Sequence, residues 1–268
     1  MIRDITIGQY YMVDSPIHRL DPRLKLISTF VYVICLFIIN DVYTYAFSIL
    51  ALAGIIASSK VPLKFIMRGI KSIIIIIILT AIINVLTTKG THILYELGWF
   101  TVTLEGVHMA TKMVIRLIML IVSSSLLTLT TTPIQLTDGI EYLLKPFGKI
   151  GVPSHEIAMM MTIALRFIPT LLDETDKIMK AQQARGADFE TGGLMQKAKS
   201  LVPILVPLFI SAFRRADELA MAMEARCYHG GDNRTRMNVM VLQKIDYYAI
   251  AVVCGFVGCI VAIMLVMR

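Results

Sequence analysis

The stretch from Ile70 to Thr87 reads IKSIIIIIILTAIINVLT and contains six consecutive isoleucines, at positions 73–78. β-Branched residues favour strands in water, but in lipid only a helix or a closed barrel satisfies all of its own backbone hydrogen bonds. A helix rises about 1.5 Å per residue, so this stretch nearly covers the roughly 30 Å of hydrocarbon in a bilayer. The stretch therefore predicts a transmembrane helix.

Four further segments are similarly apolar: residues 24–39, 43–57, 111–129 and 248–267. The whole chain of 268 residues is 56% hydrophobic and 17% charged, whereas a soluble domain is about 45–50% apolar and about 25% charged. Its net charge is +7. This composition excludes a disordered chain, a secreted disulfide scaffold and most soluble enzymes, and it argues against nucleic-acid binding. It predicts an all-α integral membrane protein with about five transmembrane helices.

The distribution of lysine and arginine predicts how these helices are oriented. Cytoplasmic loops of membrane proteins carry an excess of both residues. Basic residues precede or begin the first and third predicted spans, whereas the alternate loops are poor in them; the basic residues are Arg3, Arg19, Arg23, Lys25, Lys60, Lys64, Arg68 and Lys71. The N-terminus and the segment after the fourth span are therefore expected in the cytoplasm of a cell-membrane protein, and the C-terminus outside.

Residues 133–246 separate the four N-terminal spans (1–132) from the last span (247–268) and are predicted to form a cytoplasmic or interfacial domain. One long helix is expected from Ser154, as its N-cap, to Arg185, with Gly186 ending it. A second is expected from Gly193 to about Tyr228. At about 1.5 Å per residue each is too long for a simple crossing.

Each of these helices has an apolar first half, residues 157–172 and 201–213, followed by a charged half. The apolar halves leave open two further spans, giving seven. Internal prolines at 169, 203 and 207 predict kinks. Together with the embedded Arg166 and the charged second halves, they favour two long, kinked helices at the cytoplasmic interface.

The charged ends of the two helices resemble each other at an offset of 41 residues. The matched positions are Asp176, Ala181, Ala184 and Arg185 in the first helix and Asp217, Ala222, Ala225 and Arg226 in the second. One arginine at a helix C-terminus is explained by its favourable interaction with the helix dipole. Here there are two arginines, and the small alanines beside each one leave space around its side chain. This predicts two docking points for a partner with two similar grooves.

With these features the chain resembles the transmembrane (T) component of energy-coupling factor (ECF) transporters, the EcfT/CbiQ-type family of vitamin and transition-metal importers. The resemblance covers nearly the whole length. It rests on the entry segment SPIHRLDPRLK (15–25), on RFIP (166–169), and on the paired signatures Ala184-Arg185-Gly186 and Ala225-Arg226-Cys227. Cys227 departs from the family's usual glycine. Because cysteine tolerates a left-handed backbone poorly, the turn geometry at this position is open.

The resemblance implies a non-catalytic subunit whose two crossing coupling helices dock on two ABC-type ATPase subunits, as a homodimer or heterodimer. A separate membrane S component would bind the substrate. The six signature residues 184–186 and 225–227 would contact the ATPases. The repeat itself, and not the resemblance, predicts that Asp176, Ala181, Asp217 and Ala222 support the coupling helices.

The residues themselves leave two alternatives open: a stand-alone secondary transporter or channel of five to seven spans, and a membrane anchor for a cytoplasmic complex. No phosphate-binding G-x-x-x-x-G-K-[ST] motif occurs, so hydrolysis of ATP by this chain is not expected. None of the five predicted spans contains a carboxylate, which argues against an ion-coupled carrier. The histidines and cysteines lack ligand spacing, and neither a metal site nor a cofactor is predicted.

Overall fold

The computed structural model describes residues 10–88, 92–97, 100–187, 189, 193–230 and 240–266. Within these residues the chain forms eight α-helices, a short antiparallel hairpin and one 3₁₀ helix, Lys145–Ile150. The helices are α1 (Pro22–Ile38), α2 (Val42–Ser59), α3 (Leu63–Thr87), α4 (Leu104–Thr130), α5 (Pro133–Leu144), α6 (Ser154–Ala184), α7 (Leu194–Ala225) and α8 (Lys244–Val266). The strands are β1 (Ile93–Leu97) and β2 (Phe100–Thr103).

Five helices of the described residues are long and apolar enough to cross a membrane: α2, α3, α4, α6 and α8. The prediction of an all-α membrane protein is therefore confirmed. The five are not identical with the five predicted spans. Helix α1 has 17 residues, at the lower end of the crossing length of about 17–25 residues. Helix α6 qualifies because its first half is apolar, and its location at the interface stays a prediction.

The chain divides into two compact units. The first, called here the membrane unit, contains the described residues of Gly8–Gly139 and Met240–Arg268. The second, called the helix-pair unit, contains the described residues of Ile140–Val239, with α6 and α7 as its main elements.

Three helix ends lie together on one side of the membrane unit. At the start of α1, the backbone N–H of Asp21 donates to the carboxylate of Asp246 at the start of α8, at 2.9 Å. The ammonium group of Lys25, in the first turn of α1, donates to the carbonyl of Thr130 at the end of α4, also at 2.9 Å. Helices α1 and α8 therefore begin on the side where α4 ends.

Two cations of α4 bind the end of α1 on the opposite side. The Lys112 ammonium donates to the carbonyl of Asn40 at 2.8 Å, and the Arg116 guanidinium donates to the carbonyl of Ile39 at 3.0 Å. The last carbonyls of a helix lack intrahelical donors and carry partial negative charge. This explains why an apolar helix carries two cations in its first half.

The two predicted helix caps had different outcomes. Asp21 caps α1 as predicted: its carboxylate accepts from the N–H of Arg23 at 2.9 Å, with Pro22 as the first helical residue. The prediction that Ser154 caps α6 is wrong. The carbonyl of Pro153 already accepts from the N–H of Ile157 at 3.0 Å, so Pro153 is the cap and Ser154 is the first helical residue.

The region between the third and fourth predicted spans contains structure that sequence inspection missed. Strands β1 and β2 pair antiparallel, with Ile93 opposite Thr103 and Leu97 opposite Phe100. The Thr103 hydroxyl donates to the carbonyl of Thr88, at the end of α3, and accepts from the N–H of Gly106 in the first turn of α4. This one side chain links the two helices across the hairpin.

Helix α3 begins seven residues before the predicted span, at Leu63. Lys64, Arg68 and Lys71 therefore lie in its first turns, not in a loop, and all three are exposed. Long basic side chains at the end of a membrane helix extend toward the polar interface, so the longer helix agrees with their positions.

Candidate functional site: the ends and the crossing of two long helices

The first signature lies where α6 ends. Beyond Ala184, the N–H of Gly186 donates to the carbonyl of Gln183 at 2.9 Å, and the N–H of Ala187 donates to the carbonyl of Gln182 at 3.0 Å. Gly186 has a left-handed backbone, with φ of +87°. These two bonds and the left-handed residue form a Schellman motif, which satisfies carbonyls that have no partner inside the helix. The prediction that Gly186 ends this helix is confirmed.

The second signature ends α7 in the same way. The N–H of Cys227 donates to the carbonyl of Glu224 at 2.8 Å, and the N–H of Tyr228 donates to the carbonyl of Met223 at 3.0 Å. Each of these four positions is 41 residues beyond its counterpart at the end of α6. The offset that relates the two sequences therefore also relates their backbone hydrogen bonds. Helix α7 ends at Ala225, three residues before the predicted end.

Cys227 adopts the left-handed conformation that glycine usually provides. Its φ is +55°, so the departure from glycine does not change the type of turn. An L-residue in this conformation brings its Cβ close to the backbone, at a cost of roughly 1–2 kcal/mol. The question that the sequence left open is answered: the turn is kept, and the cysteine is strained.

Arg185 and Arg226 directly follow the two helices. Both side chains are exposed, and within the part of the chain that the structure describes neither guanidinium has a hydrogen-bonding or ion-pairing partner. The four neighbouring alanines are exposed as well: Ala181, Ala184, Ala222 and Ala225. A guanidinium group on such a surface has all five N–H donors available, in a planar geometry that matches a carboxylate or carbonyl pair.

The two aspartates of the predicted site lie farther back along each helix. Asp176 is half-buried in α6 and Asp217 is exposed in α7. Each lies nine residues, or roughly 13 Å of helix, before its arginine. The structure does not bring these aspartates into the surface formed by the signatures, and a supporting role for them stays a prediction.

The two helices bind each other through a carboxylate that was not predicted. One oxygen of Glu174 in α6 accepts from the hydroxyl of Ser211 in α7 at 2.6 Å, and the other accepts from the guanidinium of Arg215 at 3.0 Å. The side chains of Glu174 and Arg215 are 25% and 36% exposed. Because the ion pair is partly shielded from water, it is screened less than a fully exposed one.

A second contact between the helices depends on the two prolines of α7. Pro207 has no N–H, so the carbonyl of Pro203, four residues earlier, lacks its usual helical donor. The side-chain amide of Gln182 in α6 donates to this carbonyl at 3.3 Å. Both prolines lie inside the helix, and the partner helix supplies the hydrogen bond that Pro207 cannot.

These contacts define the direction of the pair. Glu174 faces Ser211 and Arg215, while Gln182, farther along α6, faces Pro203, which is earlier in α7. The helices therefore run antiparallel, and their C-terminal ends point away from each other. Arg185 and Arg226 each lie eleven residues beyond the contact, which separates them by up to about 35 Å at 1.5 Å per residue.

The signal that could have revealed the Glu174–Arg215 contact was present in the sequence. The offset of 41 also aligns Glu174 with Arg215 and Asp173 with Arg214. These positions are not recognised when the two helices are compared for identical residues, because the offset aligns residues of opposite charge there. Among the described residues no cluster of histidine, cysteine, aspartate and glutamate has the arrangement of a metal site.

Comparison with known proteins agrees with this architecture. A family model, CbiQ, described as cobalt transport protein, matches residues 14–237. A protein of Clostridium kluyveri is 59% identical over 258 residues, covering 96% of this chain and 95% of the relative. A protein of Thermosediminibacter oceani is 58% identical over 248 residues, covering 92% of this chain and 93% of the relative. A protein of Bacillus subtilis is 48% identical over 241 residues, covering 90% of this chain and 91% of the relative. All three are named energy-coupling factor transporter transmembrane protein EcfT.

The apolar helices and these matches define a membrane-embedded subunit of a transporter. The chain belongs to the CbiQ/EcfT family, the transmembrane components of ECF transporters. The resemblance drawn from the sequence is confirmed, and so is the assignment to transport in a membrane. The family name describes a component of a transporter that works together with other subunits.

Proposed function

We propose that this chain couples ATP hydrolysis in two ABC-type ATPase subunits to import through a separate substrate-binding S component. The observation that carries the proposal is the equivalence of the two helix ends. Arg185 and Arg226 are both exposed, both occupy the same position in the same type of helix-ending turn, and both lie eleven residues from the contact between the helices. Two equivalent projections fit a partner that offers two equivalent grooves, and a dimer of ATPase subunits offers them.

Each arginine is proposed to enter one ATPase groove. The small side chains of Ala184 and Ala225 next to the arginines let a partner surface approach the helix end closely. Gly186 and Cys227 turn the chain away immediately after the arginine. A buried guanidinium forms strong, directional hydrogen bonds with carboxylates and carbonyls, so movement of the ATPases would be transmitted to α6 and α7.

The proposal assigns ATP hydrolysis to the partner subunits. The lysine that comes nearest to a phosphate-binding motif, Lys149, follows Gly148 but precedes Ile150 and lies in the 3₁₀ helix. Neither a cofactor nor a bound metal is required for the role of this chain. Vitamins or transition-metal ions are the proposed cargo, and the S component would choose between them.

The proposed sidedness places the N-terminus and the helix-pair unit in the cytoplasm. The basic residues before α1 and in the first turns of α3 support it. The membrane unit has the relative helix directions that this topology requires, because α1 and α8 start on the side where α4 ends.

The apolar halves of the coupling helices are the proposed contact for the S component and for lipid. Large apolar side chains of these halves are exposed: Met160, Leu201, Val202, Val206, Phe209 and Phe213. Exposed apolar surface of this extent is favourable only when lipid or another protein covers it.

The test is the double variant Arg185→Ala/Arg226→Ala, with the exposed cation Lys177 of α6 changed to alanine as the matched control. Both variants are expected to insert into the membrane. The double variant is expected to lose co-purification of the ATPases in mild detergent and to lose uptake after reconstitution, whereas the control keeps both. Uptake at the normal rate by the double variant, or uptake by this chain alone driven by an ion gradient, would contradict the proposal.

A further inference from the structure

Two residues at equivalent positions of the repeat contact each other. The offset of 41 that relates Arg185 to Arg226 also relates Glu174 to Arg215, and these two side chains form an ion pair at 3.0 Å. In a pair of helices related by a two-fold axis, only the positions next to the axis face their own equivalents. The contact therefore locates a local pseudo-two-fold axis between α6 and α7.

The second contact between the helices agrees with this axis. Gln182 lies eight residues beyond Glu174, and its partner Pro203 lies eight residues before Ser211. The two residues of this contact thus lie the same number of positions from the axis, on opposite helices. The axis passes near residue 173 of α6 and residue 214 of α7.

The charges at the axis are opposite on the two helices, whereas two helices of identical sequence would place like charges there. Identical charged residues facing each other across a two-fold axis would repel. Here Glu174 occupies the position in α6 that Arg215 occupies in α7. The repeat is therefore complementary in charge where its two halves meet, although it keeps identical residues at its ends.

We propose that Glu174, together with Ser211 and Arg215, is the pivot that fixes the crossing of the two helices and thereby the spacing between Arg185 and Arg226. The three are positioning residues, because none of them belongs to the docking signatures. Both carboxylate oxygens of Glu174 are engaged by the partner helix, so this side chain constrains the angle between the helices as well as their distance.

The geometry makes the docking points sensitive to this pivot. Each arginine lies about 16 Å along its helix from the contact, so a rotation of about 10° at the pivot moves it by about 3 Å. Functional contacts must be held to within about 0.5 Å. A change at Glu174 is therefore expected to disturb the coupling of two docked ATPases. This consequence rests on the proposed function, whereas the spacing itself does not.

The spacing can be measured on the full chain in nanodiscs without any partner. Gln183→Cys and Glu224→Cys introduce spin labels at two exposed positions that are equivalent under the offset, in a background with the four native cysteines replaced. Their distance distribution is expected to shift or broaden by several ångströms in Glu174→Gln. The charge swap Glu174→Arg/Arg215→Glu is expected to restore much of the original distribution, and Asp173→Asn, at the neighbouring exposed carboxylate, is the matched control.

Coupling is the second readout, in the reconstituted complex without labels. Glu174→Gln is expected to keep both ATPases bound but to increase the number of ATP molecules hydrolysed per substrate imported by several-fold, with partial rescue by the charge swap. An unchanged distance distribution, or a wild-type ratio in Glu174→Gln, overturns the pivot. If the wild-type chain does not bind ATPases at all, the proposed function fails, while the distance measurement still decides the pivot.

Discussion

Glu174 and Arg215 are 41 residues apart in the chain, and their side chains bind each other at 3.0 Å; the same sequence separation relates Arg185 to Arg226, which lie at opposite ends of the helix pair. One offset thus connects a contact at the centre with two exposed ends. The two halves of the repeat differ in charge where they meet and are alike where they face outward. The centre of the pair therefore binds the two helices to each other, and the two ends are available to partners.

Single changes of the two arginines are expected to have similar effects. A buried charged contact with a partner typically costs about 2–5 kcal/mol when one side is removed. Arg185→Ala and Arg226→Ala should each weaken binding of the ATPases at least about 30-fold, measured by titration in detergent. The matched control is Lys177→Ala. Equal affinities of the arginine variants and the control would contradict docking through these residues.

Replacing the strained cysteine at the end of α7 is expected to stabilise the protein. Cys227 has a φ of +55°, and glycine adopts this conformation without steric cost. Cys227→Gly should increase the free energy of unfolding by about 1 kcal/mol, seen as a higher midpoint of thermal unfolding in detergent.

The reverse change at the end of α6 provides the control for this prediction. Gly186 has a φ of +87°, and a Cβ added there would meet no atom within 4 Å. Gly186→Ala should therefore destabilise only through its backbone, by about 1 kcal/mol. The strain argument would be wrong if Cys227→Gly lowered the midpoint or if Gly186→Ala raised it.

Arg116 is expected to stabilise the membrane unit by binding the end of α1. Its guanidinium donates to the carbonyl of Ile39 and to the hydroxyl of Tyr45, and it lies over the ring of Phe37 at 5.8 Å. Arg116→Ala leaves a helix-end carbonyl without its donor, which costs about 1–3 kcal/mol. Thermal unfolding should show the loss, while the exposed Lys71→Ala should be nearly neutral. Equal midpoints for both variants would argue against this contact.

His18 is expected to make the protein less stable in mild acid. In the neutral ring, Nε2–H donates to the carbonyl of Tyr11 at 3.0 Å and Nδ1 accepts from the hydroxyl of Ser15 at 2.7 Å. Partial burial lowers the pKa of His18 below its ordinary value of 6.5. The unfolded chain then binds the proton more readily, and stability falls as the pH drops below about 6.5.

Removing the titrating ring at position 18 tests this pH dependence. The unfolding midpoint of His18→Asn should vary less between pH 7.5 and pH 5.5 than that of the wild type. Both proteins are measured in the same detergent at each pH. The exposed His229→Asn serves as the control and should keep the wild-type dependence. Identical pH profiles for all three proteins would show that His18 does not contribute.

The periodic features of this fold could be predicted from the sequence, because each depends on nearby residues. The apolar helices follow from composition, and the end of α6 follows from Gly186. The N-cap of α6 could not be placed, because only the folded helix shows that the carbonyl of Pro153 accepts its first hydrogen bond. The hairpin between α3 and α4 was missed because its register depends on pairing between strands.

The candidate site could also be predicted only where it depends on residues close together in the sequence. The two arginines and their alanines were found from a local repeat, whereas the contact between the helices is nonlocal. Glu174, Ser211 and Gln182 have ordinary identities for the polar half of a helix. Only the antiparallel register of α6 and α7 gives them partners.

The hydrogen bond from Gln182 to the carbonyl of Pro203 has an evolutionary consequence. The carbonyl lacks its helical donor because position 207 is also proline. A homologue with any other residue at 207 would supply a backbone N–H to that carbonyl, and the carbonyl would no longer need an amide at 182 as its donor. The residue types at 182 and 207 should therefore covary, even though the coupling between them passes through a backbone carbonyl and not through their side chains.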